Sequence, residues 1–160
     1  MIVVADTSPV LYLHQIEQIH LLPSLFGDIL VPDYVASVEL SAPHTPQAVR
    51  HFVESPPQWL KVTATSGRPD ERVRHLGEGE AWAMTLALTT QADLLLCDDS
   101  QARSVARRIG LRPVGTLGVL ELGWVRGLCD VRGSVQRLIT ETNFRHSPKL
   151  IRDFLESLDR

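Results

Sequence analysis

The chain has 160 residues, 44% of them hydrophobic and 22% charged, with a formal net charge of −3. These values describe one globular domain, residues 1–160, able to bury a core of its own, and they exclude a disordered or fibrous chain. Two cysteines, Cys97 and Cys129, exclude a disulfide framework and suit a reducing cytoplasm.

In chain order, residues 2–5 read as a short strand and residues 8–19 as a helix, with Leu11, Ile16 and Ile19 near helical spacing. Residues 28–31 form a second strand. Pro32 suits the first turn of a helix running through Val35, Val38 and Glu39, closed by Pro43. Thr45, a capping candidate, and Pro46 open another helix carrying Val49, Phe52 and Val53. Residues 59–63 alternate and predict a strand near a sheet edge. Gly77 and Gly79 punctuate the start of a strong helix over residues 80–90.

The apolar run 94–97 predicts a strand covered on both faces. Asp98 or Asp99 can cap the helix that follows, residues 100–109, which stops at Gly110. A weak strand at 112–114, helices at 116–126 and 135–141, and a C-terminal helix at about 147–159 complete the chain. The last helix carries Leu150, Ile151, Phe154, Leu155 and Leu158 on one face, set to pack on the core or in an interface. No apolar run approaches the about 18 residues of a membrane helix. The opening Met1-Ile2-Val3-Val4-Ala5-Asp6 lacks the basic region of a secretory leader, so the expected setting is cytoplasmic, away from membranes.

Strands alternating with helices imply parallel pairing through right-handed crossovers. The predicted fold is α/β: an open three-layer α/β/α arrangement around a parallel sheet of four to five strands. Ligands of such sheets bind outside the carboxyl ends of the strands. Asp6-Thr7-Ser8 follows the first strand and Asp98-Asp99 the fourth; Glu78 and Glu80 flank a helix start, and Glu39 lies on the helix after the second strand. Clustered carboxylates repel one another and must protonate or bind a cation. An all-carboxylate set selects hard ions, Mg²⁺ or Mn²⁺. Taken singly, Asp6, Asp98 and Asp99 are also accounted for as helix caps, Glu78 and Glu80 as favourable charges on a helix N-terminus, and Glu39 as a solvated side chain.

Charge is unevenly spread. Residues 1–100 hold 5 basic and 13 acidic side chains, a balance of −8, whereas residues 101–160 hold 11 and 6, a balance of +5. Arg103 and Arg107 are one helical turn apart after the acid pair, where they can track a phosphate backbone; an exposed helix face is the competing account. Other chemistries lack their residues. There is no phosphate-binding Gly-Lys-Ser/Thr loop, no cysteine pair at zinc spacing and no nucleophile elbow around Ser8. A phospho-acceptor receiver needs its acid pair after the first strand and a lysine after the last; here the pair follows a later strand, and Lys61 and Lys149 are the only lysines.

Five segments taken in order, Val3-Val4-Ala5-Asp6-Thr7-Ser8-Pro9, Val38-Glu39-Leu40, Leu76-Gly77-Glu78-Gly79-Glu80-Ala81, Leu94-Leu95-Leu96-Cys97-Asp98-Asp99 and Gly115-Thr116-Leu117-Gly118-Val119-Leu120, resemble a PIN domain. More narrowly they resemble the PIN-like branch related to the VapC ribonuclease toxins of prokaryotic toxin–antitoxin pairs, over residues 2–156. The resemblance implies an acidic Mg²⁺ or Mn²⁺ site that cuts RNA internally. It matches Asp6, Glu39 and Glu80 to the first three acids of the family and Asp99, with Asp98 sharing the role, to the fourth. Asp6, Glu80 and Asp99 are then the metal ligands, with Glu78 the alternative third ligand, and Thr7 or Ser8 holds a water or the Asp6 carboxylate. It further implies a homodimer and a small antitoxin protein as partner. Two departures are Cys97, where many members carry a hydroxyl, and Glu80, where many carry Asp. A PIN-like module that binds RNA or a protein without cutting is the second expectation.

Overall fold

A computed structural model describes residues 1–160. Five strands, β1 (Val3–Ala5), β2 (Ile29–Pro32), β3 (Leu60–Thr63), β4 (Leu94–Leu96) and β5 (Pro113–Val114), form one sheet. The spatial order is β3-β2-β1-β4-β5 and every pairing is parallel. The helices are α1 (Thr7–Gln15), α2 (Leu21–Phe26), α3 (Gln47–Glu54), α4 (Glu78–Thr90), α5 (Ser100–Arg108), α6 (Thr116–Val125), α7 (Val131–Glu141) and α8 (Pro148–Ser157). None is long and apolar enough to cross a membrane.

The expected three layers follow from the alternation of side chains along the strands. Val3, Ala5, Ile29, Val31, Leu60 and Leu96 face a core of 26 buried residues shared with α1, α2, α3, α6, α7 and α8. Val4, Leu95 and Cys97 face a core of 13 shared with α4 and α5. Five of the six helices on the thicker side, all but α2, lie at least in part where the sequence predicts a helix. Central β1 is buried at every position, which explains its unbroken apolar run. Edge strand β3 buries Leu60 but exposes both Lys61 and Val62, so the alternation expected over residues 59–63 is not kept in burial: at the sheet edge the face that Val62 shares is left uncovered.

Several boundaries differ from the sequence reading. The helix expected over 8–19 stops at Gln15, and Glu17 takes a positive φ of 60°. The short helix α2 follows, unforeseen because it has no polar cap and little polar face: Leu21, Leu22, Leu25 and Phe26 are all buried. Pro32 does not open a helix. It is the last residue of β2, paired with Thr63, and the expected helix is a five-residue π-helical turn, Val35–Glu39, closed by Leu40 N–H donating to Val35 O at 2.8 Å. Thr45 does not cap α3; its hydroxyl donates instead to the Glu39 carbonyl at 3.0 Å. Helix α7 starts at Val131, four residues early, because Asp130 caps it through Gly133 N–H.

Candidate active site

The strand order reverses between β1 and β4: the chain leaves β1 to build outward through β2 and β3, then returns to the other side of β1. Open α/β sheets bind ligands at such a switch point, beyond the carboxyl ends of the strands. Asp6 ends β1 there and Asp98-Asp99 end β4. The two strand ends are tied by Asp6 N–H donating to Leu96 O at 2.9 Å.

Asp6 is 6% exposed and caps α1, its Oδ1 accepting from Thr7 N–H at 2.7 Å. Burial pushes its carboxyl up to about 7; the Thr7 backbone hydrogen bond opposes this, and the charges of Glu39 and Glu80 add to it. Glu39 arrives from the π-helical turn, a local rewinding that often re-aims a side chain at functional sites. Its Oε2 accepts from Thr7 Oγ1 at 2.7 Å. Its carboxylate fills the space that a Cβ on Gly79 would need, so the second glycine of Gly77-Glu78-Gly79-Glu80 is the gap through which Glu39 passes α4.

Glu80 is the third helical residue of α4 and half-buried. Burial raises its pKa first, Asp99 next and Glu39 last, against the lowering effect of the Gly77 backbone N–H at the helix start. Glu78, one residue into the helix, is exposed and stands outside this set. Asp99 caps α5, accepting from Ala102 N–H at 2.8 Å, and is exposed. Asp6 is acted on by Glu39 and Glu80, and Glu80 by Asp99 and Glu39, so Asp6, Glu39, Glu80 and Asp99 form one continuous series.

Asp98 points elsewhere. Its two oxygens accept from Thr116 N–H and Thr116 Oγ1, both at 2.7 Å, which caps α6 across 18 residues of sequence. Burial raises its carboxyl; Thr116 and the Arg103 charge lower it, and no other carboxylate acts on it. Both members of the acid pair thus hold a helix start, Asp99 its own and Asp98 the next. Beneath them lies Cys97, whose thiol is pushed up by burial and by Asp6, Glu80 and Asp98, so it stays neutral. Ser8 is half-buried in the first turn of α1, and its hydroxyl joins none of these bonds.

The two arginines of α5 separate. Arg103 is half-buried, and its Nη1 lies 2.7 Å from where a Cβ on Gly115 would stand, beside Asp98 Oδ1. Its Nε is buried without a hydrogen-bond partner. Arg107, one turn further along, is exposed. Arg145, in the segment between α7 and α8, adds a second cation. It sits near the same flank, since the Tyr12 phenol, raised by burial and by Asp98, is lowered by Arg145. The acid series therefore has a cationic flank around Asp98.

The donor set fits a hard divalent cation in kind, being all carboxylate oxygen and mutually repelling without one. No three His, Cys, Asp or Glu side chains stand close enough, as placed, to enclose one ion between them. Mg²⁺ suits such an open set, because it commonly takes one or two carboxylates and completes its shell with water and substrate phosphate.

A protein-family model described as a PIN domain matches residues 2–160. The chain belongs to the PIN domain family. PIN domains are in general nucleases that use divalent metal ions, and the acid series of this PIN domain occupies the rim where its sheet topology directs a ligand. No curated protein matches the chain.

Proposed function

We propose that this PIN domain is a Mg²⁺- or Mn²⁺-dependent endoribonuclease, acting in the cytoplasm as the toxin of a toxin–antitoxin pair. The observation that carries the nuclease reading is the run of four interacting carboxylates, Asp6, Glu39, Glu80 and Asp99, at the β1/β4 switch point. Asp6, Glu80 and Asp99 are the ligands, and Glu39 completes the site. A bound divalent ion supplies charge neutralisation at the scissile phosphate and acidifies water. Thr7 orients Glu39 and Asp6 together. Asp98 positions the start of α6 and Arg103, and Arg103 faces the phosphate backbone from that flank. Water attacks phosphorus and the 3′ oxygen leaves, so the products carry a 5′-phosphate and a 3′-hydroxyl.

Structured and unstructured RNAs incubated with Mn²⁺, Mg²⁺ or EDTA test this, with Asp6→Asn in parallel. Internal cuts that need metal and vanish in Asp6→Asn are expected. Equal cleavage by both proteins identifies a contaminant.

The toxin role rests on the sequence resemblance and on the rim itself, whose negative charge suits a cationic tail from a small antitoxin. Growth arrest on expression of the wild type but not of Asp6→Asn, relieved by a co-expressed neighbouring small protein, tests it. A homodimer is supported by the exposed apolar end of α6, Leu122, Trp124 and Val125, with Leu128 beyond it; light scattering on purified protein decides it. The alternative, a binding module without turnover, draws on the absence of three carboxylates close enough to enclose an ion. RNA binding that persists or tightens in Asp6→Asn, with no cleavage by either protein, favours it.

A further inference from the structure

Glu39 is the one acid of the series carried by a π-helical turn. Such windings are rare and occur mostly as single turns. A rare local conformation persists where surrounding contacts over-determine it. Two side-chain hydroxyls hold this one from its carboxyl end. Ser41 Oγ donates to the Ala36 carbonyl at 2.7 Å, five residues back, the same span as Leu40 N–H donating to Val35 O. Thr45 Oγ1 donates to the Glu39 carbonyl at 3.0 Å, and Thr45 is buried. The end of a helical turn leaves carbonyls without N–H partners, and here hydroxyls serve two of them. Thr45 N–H itself donates to Ala42 O at 2.9 Å, which closes the segment after the turn.

The Glu39 side chain needs such a hold because its two sides differ. On one side its carboxylate fills the gap at Gly79, where the three atoms nearest an added Cβ all belong to Glu39. It also lines a cavity of about 520 Å³, together with Thr7, Leu40 and Thr45.

We infer that Thr45 and Ser41 are positioning residues: their hydroxyls hold the π-helical register that aims Glu39 through the Gly79 gap into the acid series. The effect on catalysis rests on the nuclease reading above; the effect on geometry does not. Without the two bonds the turn relaxes toward the commoner α-helical register. A change of one residue in register swings a side chain by about 100° around the helix axis. That takes Glu39 out of the gap, and the cavity has room to receive it.

A double-mutant cycle on the metal-free protein reads the geometry. Gly79→Ala is destabilising only while Glu39 occupies the gap. Urea midpoints are measured for wild type, Gly79→Ala, Thr45→Val and the double variant. Residues that act independently give additive shifts, whereas residues coupled through a shared group do not. The drop in midpoint caused by Gly79→Ala is expected to shrink to roughly half or less in the Thr45→Val background, and to return in full with Thr45→Ser. A merely structural loss at residue 45 leaves that drop unchanged. Ser41→Ala is expected to show the same coupling, and it decides the matter if Thr45→Val does not fold.

Cleavage reads the consequence. With Mn²⁺, Thr45→Val is expected to lower kcat roughly tenfold or more, as losses behind the ligands of a metal site do. KM for RNA stays unchanged, and Thr45→Ser recovers the rate. Additive midpoints, no cost of Gly79→Ala in the wild type, or wild-type kcat in Thr45→Val would overturn the inference and leave the nuclease standing. Coupled midpoints with no cleavage by any of the proteins, wild type included, would uphold the positioning and remove the nuclease reading.

Discussion

The carboxylate of Glu39 occupies the space that a Cβ at residue 79 would need. Gly79 lies in the first turn of α4, buried against the π-helical turn that carries Glu39. An exposed helical glycine replaced by alanine normally gains about 0.5–1 kcal/mol. Here the sign reverses. Gly79→Ala forces Glu39 aside, costing about 1–3 kcal/mol as overpacking does, and it lowers RNA cleavage by displacing a site acid. Gly77→Ser, at the N-cap, where the nearest atom is the flexible Glu80 carboxylate at 3.7 Å, is accommodated. Urea denaturation and cleavage rates of the two variants check the contrast.

Asp6 makes the metal-free protein less stable as pH rises. Its folded-state pKa of about 7 exceeds the ordinary 3.8, chiefly through burial. Between those values the folded chain keeps a proton that the unfolded chain has lost, so unfolding free energy falls with pH across that window and levels off above it. The span is worth on the order of 4 kcal/mol, and Glu80, also raised, acts in the same direction. In EDTA, urea midpoints measured from pH 4 to 8 are expected to fall for wild type and to stay much flatter for Asp6→Asn.

Manganese is expected to reverse that loss. A ligand that binds only the folded state adds about 2.7 kcal/mol at a hundred times its dissociation constant. Thermal midpoints at pH 8 should rise with Mn²⁺ for wild type and move little for Asp6→Asn or Asp99→Asn. An equal rise in all three would place the ion elsewhere.

Thr7 joins Asp6 to Glu39, an acid 32 residues further along the chain from Thr7, donating from its hydroxyl to Glu39 while its backbone N–H serves Asp6. Thr7→Val leaves Glu39 without that donor. A hydrogen bond to a charged group contributes about 1.5–3 kcal/mol when buried, and partial exposure of this one places it at the lower end. Cleavage is expected to drop more than stability does, and Thr7→Ser to restore both. Rates and urea midpoints of the three proteins are the measurement.

Asp98 and Asp99 should separate by substitution. Asp98→Ala removes the cap on α6 and leaves Thr116, buried, without its acceptor, a loss of about 1–3 kcal/mol. Asp99→Asn keeps a capping oxygen for Ala102 and costs little stability, yet removes one of the four interacting charges and with it the cleavage. Calorimetric unfolding beside RNA cleavage distinguishes the two.

The layers and much of the rim are legible in local composition and spacing. The apolar runs at residues 2–5 and 94–97 mark strands, the second as one covered on both faces, and the acids straight after them mark the strand ends, because burial and capping leave local traces in composition and spacing. The order of the strands left no such trace. Only packing puts β1 at the centre with the reversal beside β4, and that order makes neighbours of Asp6 and Asp99. Glu39 read by its own surroundings as a solvated helical side chain; the π-helical turn, the Thr45 hydroxyl on its carbonyl and the opening at Gly79 deliver it to the rim, and each depends on contact between segments distant in the chain. Asp98 and Asp99 share one sequence signal, and Arg103 and Arg107 share one helical spacing. The fold turns each pair in two directions, because Asp98 accepts hydrogen bonds from a helix start 18 residues away and a glycine at 115 leaves room for Arg103.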